Sequence, residues 1–394
     1  MAEQATDVII IGGGVMGCAA AWRLALARHR VRLLEQFAIG HALGSSHGPS
    51  RMIRLAYDAP EYVQMGQAAF ALWEELEEAA GASLLLRTGG VNAGLPHANE
   101  LAGIARTYDA LGVPYERLDP DELRRRFPQL SFPDGTIGLY QADYGILAAS
   151  RIVAALTEQA RAAGAVIHEN EPVQAIAPDG DGVTTRTSQG TYRADRAILA
   201  AGSWTQPLLA PLGIDLPLTI LQEQLAFFRV RDPENHGPDR LPLVMHRFPG
   251  TTSIGSVFPI YDHEGVKVML DRVGPAVAPG DPNRGIDPAR LEALCEYAAN
   301  LLPGTTGEIL ETTSCRYTMT PDEDFVIDRC AQHPQIVIGS PCSGHGFKFA
   351  PVIGQMLADL AIDGETPYPT ARFRLDRPAL SAVWSPAAAA ARAS

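Results

Sequence analysis

Hydrophobic and polar positions repeat along this chain with two periods, and the places where the period changes outline its elements. Val8-Ile9-Ile10-Ile11 is an unbroken β-branched run, the pattern of a strand buried on both faces. A glycine-rich turn follows, and then an apolar, alanine-rich stretch, Cys18 to Ala27, that predicts a helix. Val31 to Leu34 predicts a second strand, with Glu35 at its tip. Glu61 to Ala80 carries Tyr62, Met65, Ala69, Leu72, Trp73 and Leu76 at helical spacing, so that stripe is core. Leu84 to Gly94 reads as strand, Gly-Gly, strand. Asp119-Pro120-Asp121-Glu122 has the capping acid, N1 proline and N3 acid of a helix start. Ile146 to Ala163 predicts another helix, and Ala165 to His168 a strand. Between Val173 and Ala200 the turns at PDGDG and around Gly190 separate three successive strands. LTILQEQLAFFRV, LPLVMHRF, TTSIGSVFPI and GVKVML, between Pro217 and Leu270, alternate as in a large antiparallel sheet. Asp287 to Leu302 predicts a helix, Ile336 to Ile338 a strand, and Ala350 to Ala361 a last helix.

At 394 residues the chain exceeds a single-core domain, so two domains are expected. Neither an internal repeat nor a long linker separates them, which makes them interleaved. The elements divide as 1–82, 146–215 and 323–385 for a nucleotide-binding domain, and 83–145 and 216–322 for a substrate domain. Residues 386–394, rich in alanine and without a packing pattern, read as a disordered tail. The formal net charge of −13 argues against nucleic acid or an anionic membrane as partner. No apolar run reaches the length that spans a bilayer, and the N-terminus enters the first strand without a basic leader. Five cysteines, Cys18, Cys295, Cys315, Cys330 and Cys342, are scattered, with no C-x-x-C pair. That spacing suits a reducing cytoplasm and neither a disulfide framework nor a zinc site.

The first candidate chemistry is the turn after the first strand. Gly12, Gly14 and Gly17 form G-x-G-x-x-G, with Val15 and Met16 opening the helix. Gly12 makes the tight turn, Gly14 lets backbone approach a pyrophosphate, and Gly17 lets helix and strand pack closely. The helix N-terminus supplies N–H groups and positive dipole to the phosphates, and the Glu35 carboxylate can accept from ribose hydroxyls. FAD and NAD both satisfy this unit. The later meander and the return to Ala200-Ala201-Gly202-Ser203-Trp204 are the layout of FAD-binding flavoproteins, whereas nicotinamide enzymes usually continue βα units. His41 to Ser50 reads as a loop leaving the nucleotide site, and Arg51 and Arg54 follow it. If they begin a helix or tight turn they share a face and can meet an anion.

Three stretches, GSSHGPSRMIR (44–54), CRYTMTPDEDFVID (315–328) and SGHGFKFAP (343–351), carry a resemblance that runs from Asp7 to about Leu380. The sequence resembles the monomeric sarcosine oxidase and N-methyltryptophan oxidase family, within the D-amino-acid-oxidase-like flavoproteins. The resemblance implies an α/β fold: a Rossmann-like FAD domain with a GR2-type start, interleaved with an α+β substrate domain on a large, mainly antiparallel mixed sheet. It implies FAD attached through its 8α-methyl group to Cys315, with Arg51 as a nearby cation, and Ser45, Ser50, Val173, Ala201, Gly202, Trp204, Gly344, Gly346 and Phe347 beside the cofactor. Arg54 and Lys348 match residues that hold a substrate carboxylate, Tyr317 an active-site tyrosine, and Lys267 the lysine that activates oxygen. His345 is placed at the pocket wall. The implied reaction is oxidation of a small secondary amino acid, N-methyl or cyclic, with imine hydrolysis and reoxidation by O2 to H2O2, in a monomer. The alternatives are an amine dehydrogenase using another acceptor and a nicotinamide-dependent oxidoreductase. Two positions depart from sarcosine-oxidising members: Ser256 where they carry tyrosine, and Asp271 where they carry histidine. These departures leave the preferred substrate open between sarcosine and another N-alkyl or cyclic secondary amino acid.

Overall fold

The protein is described here by a computed structural model covering residues 6–96, 99–248, 253–281 and 285–385. The expected tail 386–394 and the first two residues of TTSIGSVFPI lie outside the described residues. The strand Thr6–Ile11 runs parallel to Val31–Leu34 on one side and to Thr191–Leu199 on the other. Val166–His168 extends the sheet beyond Val31–Leu34. On its far edge Thr191–Leu199 pairs twice: antiparallel to Gly182–Thr187 in its first half, and parallel to Ile336–Ser340 in its second. Val173–Asp179 and Val326–Arg329 complete eight strands. The β-branched run is buried on both faces, as its pattern requires. Val8 and Ile10 pack with the helices Val15–Leu26, Ala149–Ala162 and Ala350–Ile362, while Ile9 and Ile11 pack into a separate cluster with Leu34, Leu199 and Ile338. Each such side chain contributes roughly 1.5–3 kcal/mol by burial.

The second sheet has nine strands and is antiparallel except where Leu243–Arg247 meets Gly90–Gly94. Its long strand Thr219–Val230 lies between Val266–Leu270 and Thr305–Met319. The helix Pro288–Leu301, capped by the Asp287 carboxylate, covers one face. Leu294, Tyr297, Ala298 and Leu301 pack there with Ala226, Phe228, Val257, Val266 and Val268. Alternation then sends Lys267 and Met269 to the opposite face, the one that looks into the interior of the molecule.

A three-stranded sheet corrects two expectations. Arg51–Ile53 is a strand, not the start of a helix or tight turn, and it pairs with Gly145–Leu147, which also pairs with Leu85–Arg87. The helix expected from Ile146 begins only at Ala149. Ile146 is fully buried between Met52 and Leu86, and a short apolar run reads equally as helix or strand until its partners are known. Other elements had no sequence expectation, among them the helix Asn99–Leu111 and the strand Ile137–Gln141. Another is the 15-residue strand Thr305–Met319, whose polar first half hides its period. Among the described residues no helix is long and apolar enough to cross a membrane, and all five cysteines are free thiols.

Candidate active site

The glycine turn is shaped by contacts with its own sheet. Gly12 has φ +107, and a Cβ there would lie 2.4 Å from the Ala200 carbonyl oxygen. A Cβ on Gly17 would lie 1.9 Å from the Gly12 carbonyl oxygen, so helix and turn close together only around glycine. Gly14 is the helix N-cap and makes no side-chain cap bond. A Cβ on Gly14 would meet only Ser46 Oγ, at 3.3 Å, which leaves that backbone open to an anion. Glu35 is buried; its Oε2 accepts the Gly13 N–H at 2.6 Å and its Oε1 the Phe37 N–H at 2.9 Å. A carboxylate has lone pairs for about four partners, so these two backbone bonds still leave capacity for a ribose hydroxyl.

From this turn one cleft runs between residues of both large sheets, with an empty volume of about 2240 Å³ including its mouth. Its lining joins the glycine turn to residues of the second sheet, which suits a dinucleotide together with a substrate. Gly12, Gly14, Val15, Met16, Glu35, Ser45, Val173, Ala201, Gly202, Trp204, Cys315, Gly344, Gly346 and Phe347 line it. So do Arg51, Arg54, Lys267, Tyr317, His345 and Lys348, together with Ser256 and Asp271. Two of the expected cofactor residues are not in the lining. Gly17 sits inside the helix against Gly12, and Ser50 is buried one layer back, where its carbonyl and hydroxyl oxygens accept from Lys267 Nζ at 3.0 and 3.2 Å. Phe347 and Lys348 belong to a short helical turn after Gly346. Gly344 has φ +78, and a Cβ there would lie 2.6 Å from the Tyr317 ring, so that glycine is required by the protein's own packing as much as by any ligand.

Charge sets this cleft apart from an ordinary pocket. Arg51, Arg54, Lys267 and Lys348 all line it, and among the described residues none has a carboxylate within 4 Å. The Arg51 guanidinium donates to the carbonyls of Ser45, His47 and Ser50 at 2.7–2.9 Å. Arg54, 7% exposed, donates to the Ala56 carbonyl and lies over the Tyr57 ring at 4.1 Å. Lys348, 4% exposed, donates to the Tyr57 hydroxyl at 2.9 Å and to the His345 carbonyl. Burial, with Arg54 nearby, holds Lys348 well below the usual lysine range. Burial, with Arg51 nearby, brings Lys267 down to about 7. Burial pushes the Cys315 thiol up to about 11, against the pull of Arg51 and Lys267. Buried cations without anions are costly, so the cleft is built for an anionic occupant.

The sequence profile of the FAD dependent oxidoreductase family matches residues 7–360, nine-tenths of the chain. The chain belongs to that family. It is 35% identical over 381 residues to the peroxisomal sarcosine oxidase of Homo sapiens, covering 94% of this chain and 96% of that one. It is 36% identical over 378 residues to the monomeric sarcosine oxidase of Streptomyces avermitilis, with 93% and 96% covered. The N-methyl-L-tryptophan oxidase of Salmonella arizonae is 35% identical over 376 residues, covering 94% and 98%. Among solved structures, the open form of NikD, an unusual amino acid oxidase essential for nikkomycin biosynthesis, superposes with a TM-score of 0.83 at 28% identity, covering 94% of this chain and 97% of that one. Membership decides for FAD over a nicotinamide, and for an amine-oxidising oxidoreductase. The glycine turn, the open backbone at Gly14 and the Glu35 carboxylate fit the cofactor's phosphates and ribose.

Sequence reasoning missed three groups. Tyr57 stands between Arg54 and Lys348, but a lone tyrosine after an arginine carries no signal. Met245 and Met269 lie directly across the strands on either side of Ser256, and all three line the cleft. Arg272, next to Asp271, also lines it and pairs with Glu323 at 3.1 Å; both have positive φ, 62 and 65.

Proposed function

We propose that this protein oxidises a small secondary α-amino acid, N-methyl or cyclic, passing the electrons on to O2 with release of H2O2, as a monomer. When bound, FAD supplies the acceptor for a hydride from the carbon beside the amine nitrogen. The observation that carries the reading is the pair of buried, carboxylate-free cations Arg54 and Lys348 on the cleft wall. Arg54 offers a planar two-pronged contact and Lys348 a point charge, together a clamp for the substrate carboxylate. A fixed carboxylate orients the amine and its α-hydrogen and holds them at reaction distance. Beyond it, Met245 and Met269 flank Ser256 with flexible thioethers, a floor that adapts to a ring or alkyl group. Asp271, whose Oδ1 accepts the Ile254 N–H at 3.0 Å, brings an acid to the same wall and can pair with the amine or a polar side chain. Lys267 is the cation assigned to oxygen.

The reading is tested by comparing N-methyl and cyclic amino acids with the corresponding primary amino acids for peroxide release. Secondary amino acids should turn over with one peroxide per imine product. Anaerobic bleaching without peroxide in air would instead assign a different electron acceptor.

Cys315 is proposed to carry the flavin through a thioether. It lines the cleft on the strand Thr305–Met319 with Arg51 and Lys267 as the cations acting on it. With the thiol pushed up to about 11, the thiolate is a minor species at pH 7, and attachment should be slow. When apoprotein is incubated with FAD and then acid-precipitated, the yellow colour in the pellet should grow with time, and faster at pH 9 than at pH 7. Colour that stays in the supernatant after full loading, or that enters the pellet of Cys315→Ser, overturns the assignment.

A further inference from the structure

We propose that Tyr57 is the positioning residue for both arms of the carboxylate clamp, its ring seating Arg54 and its hydroxyl orienting Lys348. This rests on the clamp reading above. The hydrogen-bond directions follow from the partners. His345 Nε2 stands 3.1 Å from the Glu323 carbonyl oxygen, and a carbonyl only accepts, so Nε2 carries the hydrogen. Burial, with Lys348 close by, holds the ring neutral, which leaves Nδ1 bare. Tyr57 Oη, 3.2 Å from Nδ1, therefore donates its hydrogen there. Its oxygen is left to accept from Lys348 Nζ at 2.9 Å. The phenol itself is pushed up to about 12 by burial, so it stays protonated throughout the working range. The Arg54 guanidinium lies over the same ring at 4.1 Å, a cation–π seat. One tyrosine thus touches both cations, and its polarity is set from behind by His345.

The consequence is a pH limit on carboxylate binding. The charged groups around Lys348 are Arg54 on one side and, behind His345, Arg272 with its partner Glu323. Tyr62, stacked on Tyr57 at 4.9 Å, is bonded to Asp324, which Arg372 holds in turn. Before a carboxylate binds, burial and Arg54 disfavour the ammonium of Lys348. A bound carboxylate supplies the missing anion and favours it, so binding draws a proton onto Nζ. Affinity is then greatest below the free-site value of Lys348 and falls as pH rises past it. A hydroxyl that accepts from Nζ stabilises the ammonium. Removing that hydroxyl lowers the Lys348 value and moves the fall in affinity to more acid pH.

The test uses the FAD-loaded enzyme with acetate and propanoate as probes, followed by flavin absorbance and by calorimetry in buffers of different ionisation enthalpy. Tyr57→Phe keeps the ring and removes the hydroxyl. It should weaken acetate about tenfold to a hundredfold near neutral pH, the worth of a hydrogen bond to a charged group. It should also move the pH limit of binding to acid and reduce the measured proton uptake. In a Lys348→Met background the same change should cost almost nothing, because Tyr57 acts through Lys348. Placing 3,5-difluorotyrosine at position 57 preserves the shape while weakening the acceptor, and should shift the limit in the same direction. An unchanged pH limit in both variants, or a loss that is additive with Lys348→Met, overturns the role of Tyr57 while leaving the clamp standing. If Arg54→Ala binds acetate as wild type does, the clamp reading itself fails, and Tyr57 has nothing to position.

Discussion

Arg54→Ala is expected to raise KM for a secondary amino acid by about 10²–10³-fold, while turnover of the matching amines that lack the carboxylate stays as poor as in wild type. The magnitude follows from truncating one partner of a buried charge pair, about 2–5 kcal/mol. Wild-type Arg54 is 7% exposed, and among the described residues its guanidinium meets the Ala56 carbonyl and the Tyr57 face, which leaves most of its donor capacity for substrate. Lys348 alone cannot replace it, because burial, the larger cause of its lowered value, still disfavours the ammonium. Removing Arg54 takes away its repulsion and leaves Lys348 as a single point charge. The two-pronged contact is lost with the arginine, and Arg54→Lys should recover only part of the binding. Steady-state kinetics on paired substrates, with and without the carboxylate, checks this. Unaltered KM in Arg54→Ala, or equal wild-type turnover of the decarboxylated amines, would mean that no clamp exists.

The second large effect is at Lys267. Lys267→Met should slow reoxidation of the reduced holoenzyme by O2 about 10²-fold, while reduction by substrate changes far less. Electron transfer to oxygen creates negative charge, and a cation already in place stabilises it without reorganisation. Tenfold is about 1.4 kcal/mol, and removal of a single electrostatic catalyst usually exceeds it. Lys267 is suited to this: 4% exposed, held by Ser50 at 3.0 and 3.2 Å and seated over Phe258 at 4.3 Å. Its value of about 7 also gives a pH signature. The charged form exists below that value and is lost as pH rises through it, so the oxygen step should fall in alkali. Substrate reduction should rise over the same interval as the amine loses its proton. In Lys267→Met the fall in the oxygen step should disappear. Stopped-flow traces of the two half-reactions across pH 6–9 separate these trends, and reoxidation that is unchanged in the methionine variant removes Lys267 from the chemistry.

What could be read from the residues alone was what local pattern governs. The β-branched run, the G-x-G-x-x-G turn and Glu35 form a unit whose parts lie within about 30 residues, and each acts through its neighbours in sequence. The meander of 173–200 and the capped helix after Asp119 were legible for the same reason, since turns and caps are short-range. The motifs at 44–54, 315–328 and 343–351 pointed to one site because they resembled a family, not because spacing joined them. Bringing Arg51, Lys267, Cys315 and Lys348 to one cleft is the work of the nine-stranded sheet, the three-stranded sheet and the turn after Gly346, whose residues lie far apart in the chain.

The tertiary structure alone decided which side of a strand faced which surroundings. Alternation in GVKVML puts Lys267 opposite Val266 and Val268, a pattern equally true of a solvent-facing lysine. The helix Pro288–Leu301 covers the valines, and only that packing turns the lysine inward. Arg51 and Ile146 entered strands because each found the other's segment as a partner, which no local propensity encodes. Ser50 stands behind Lys267 rather than in the cleft wall for a similar reason: its place depends on a strand 217 residues further along the chain. Tyr57 has no sequence signature at all. Its importance comes from two cations and a histidine converging on one ring. Local sequence sets the period of an element and the turns that end it. The face it buries, and the charges that meet there, are set by long-range pairing, where the energy of burial is gained.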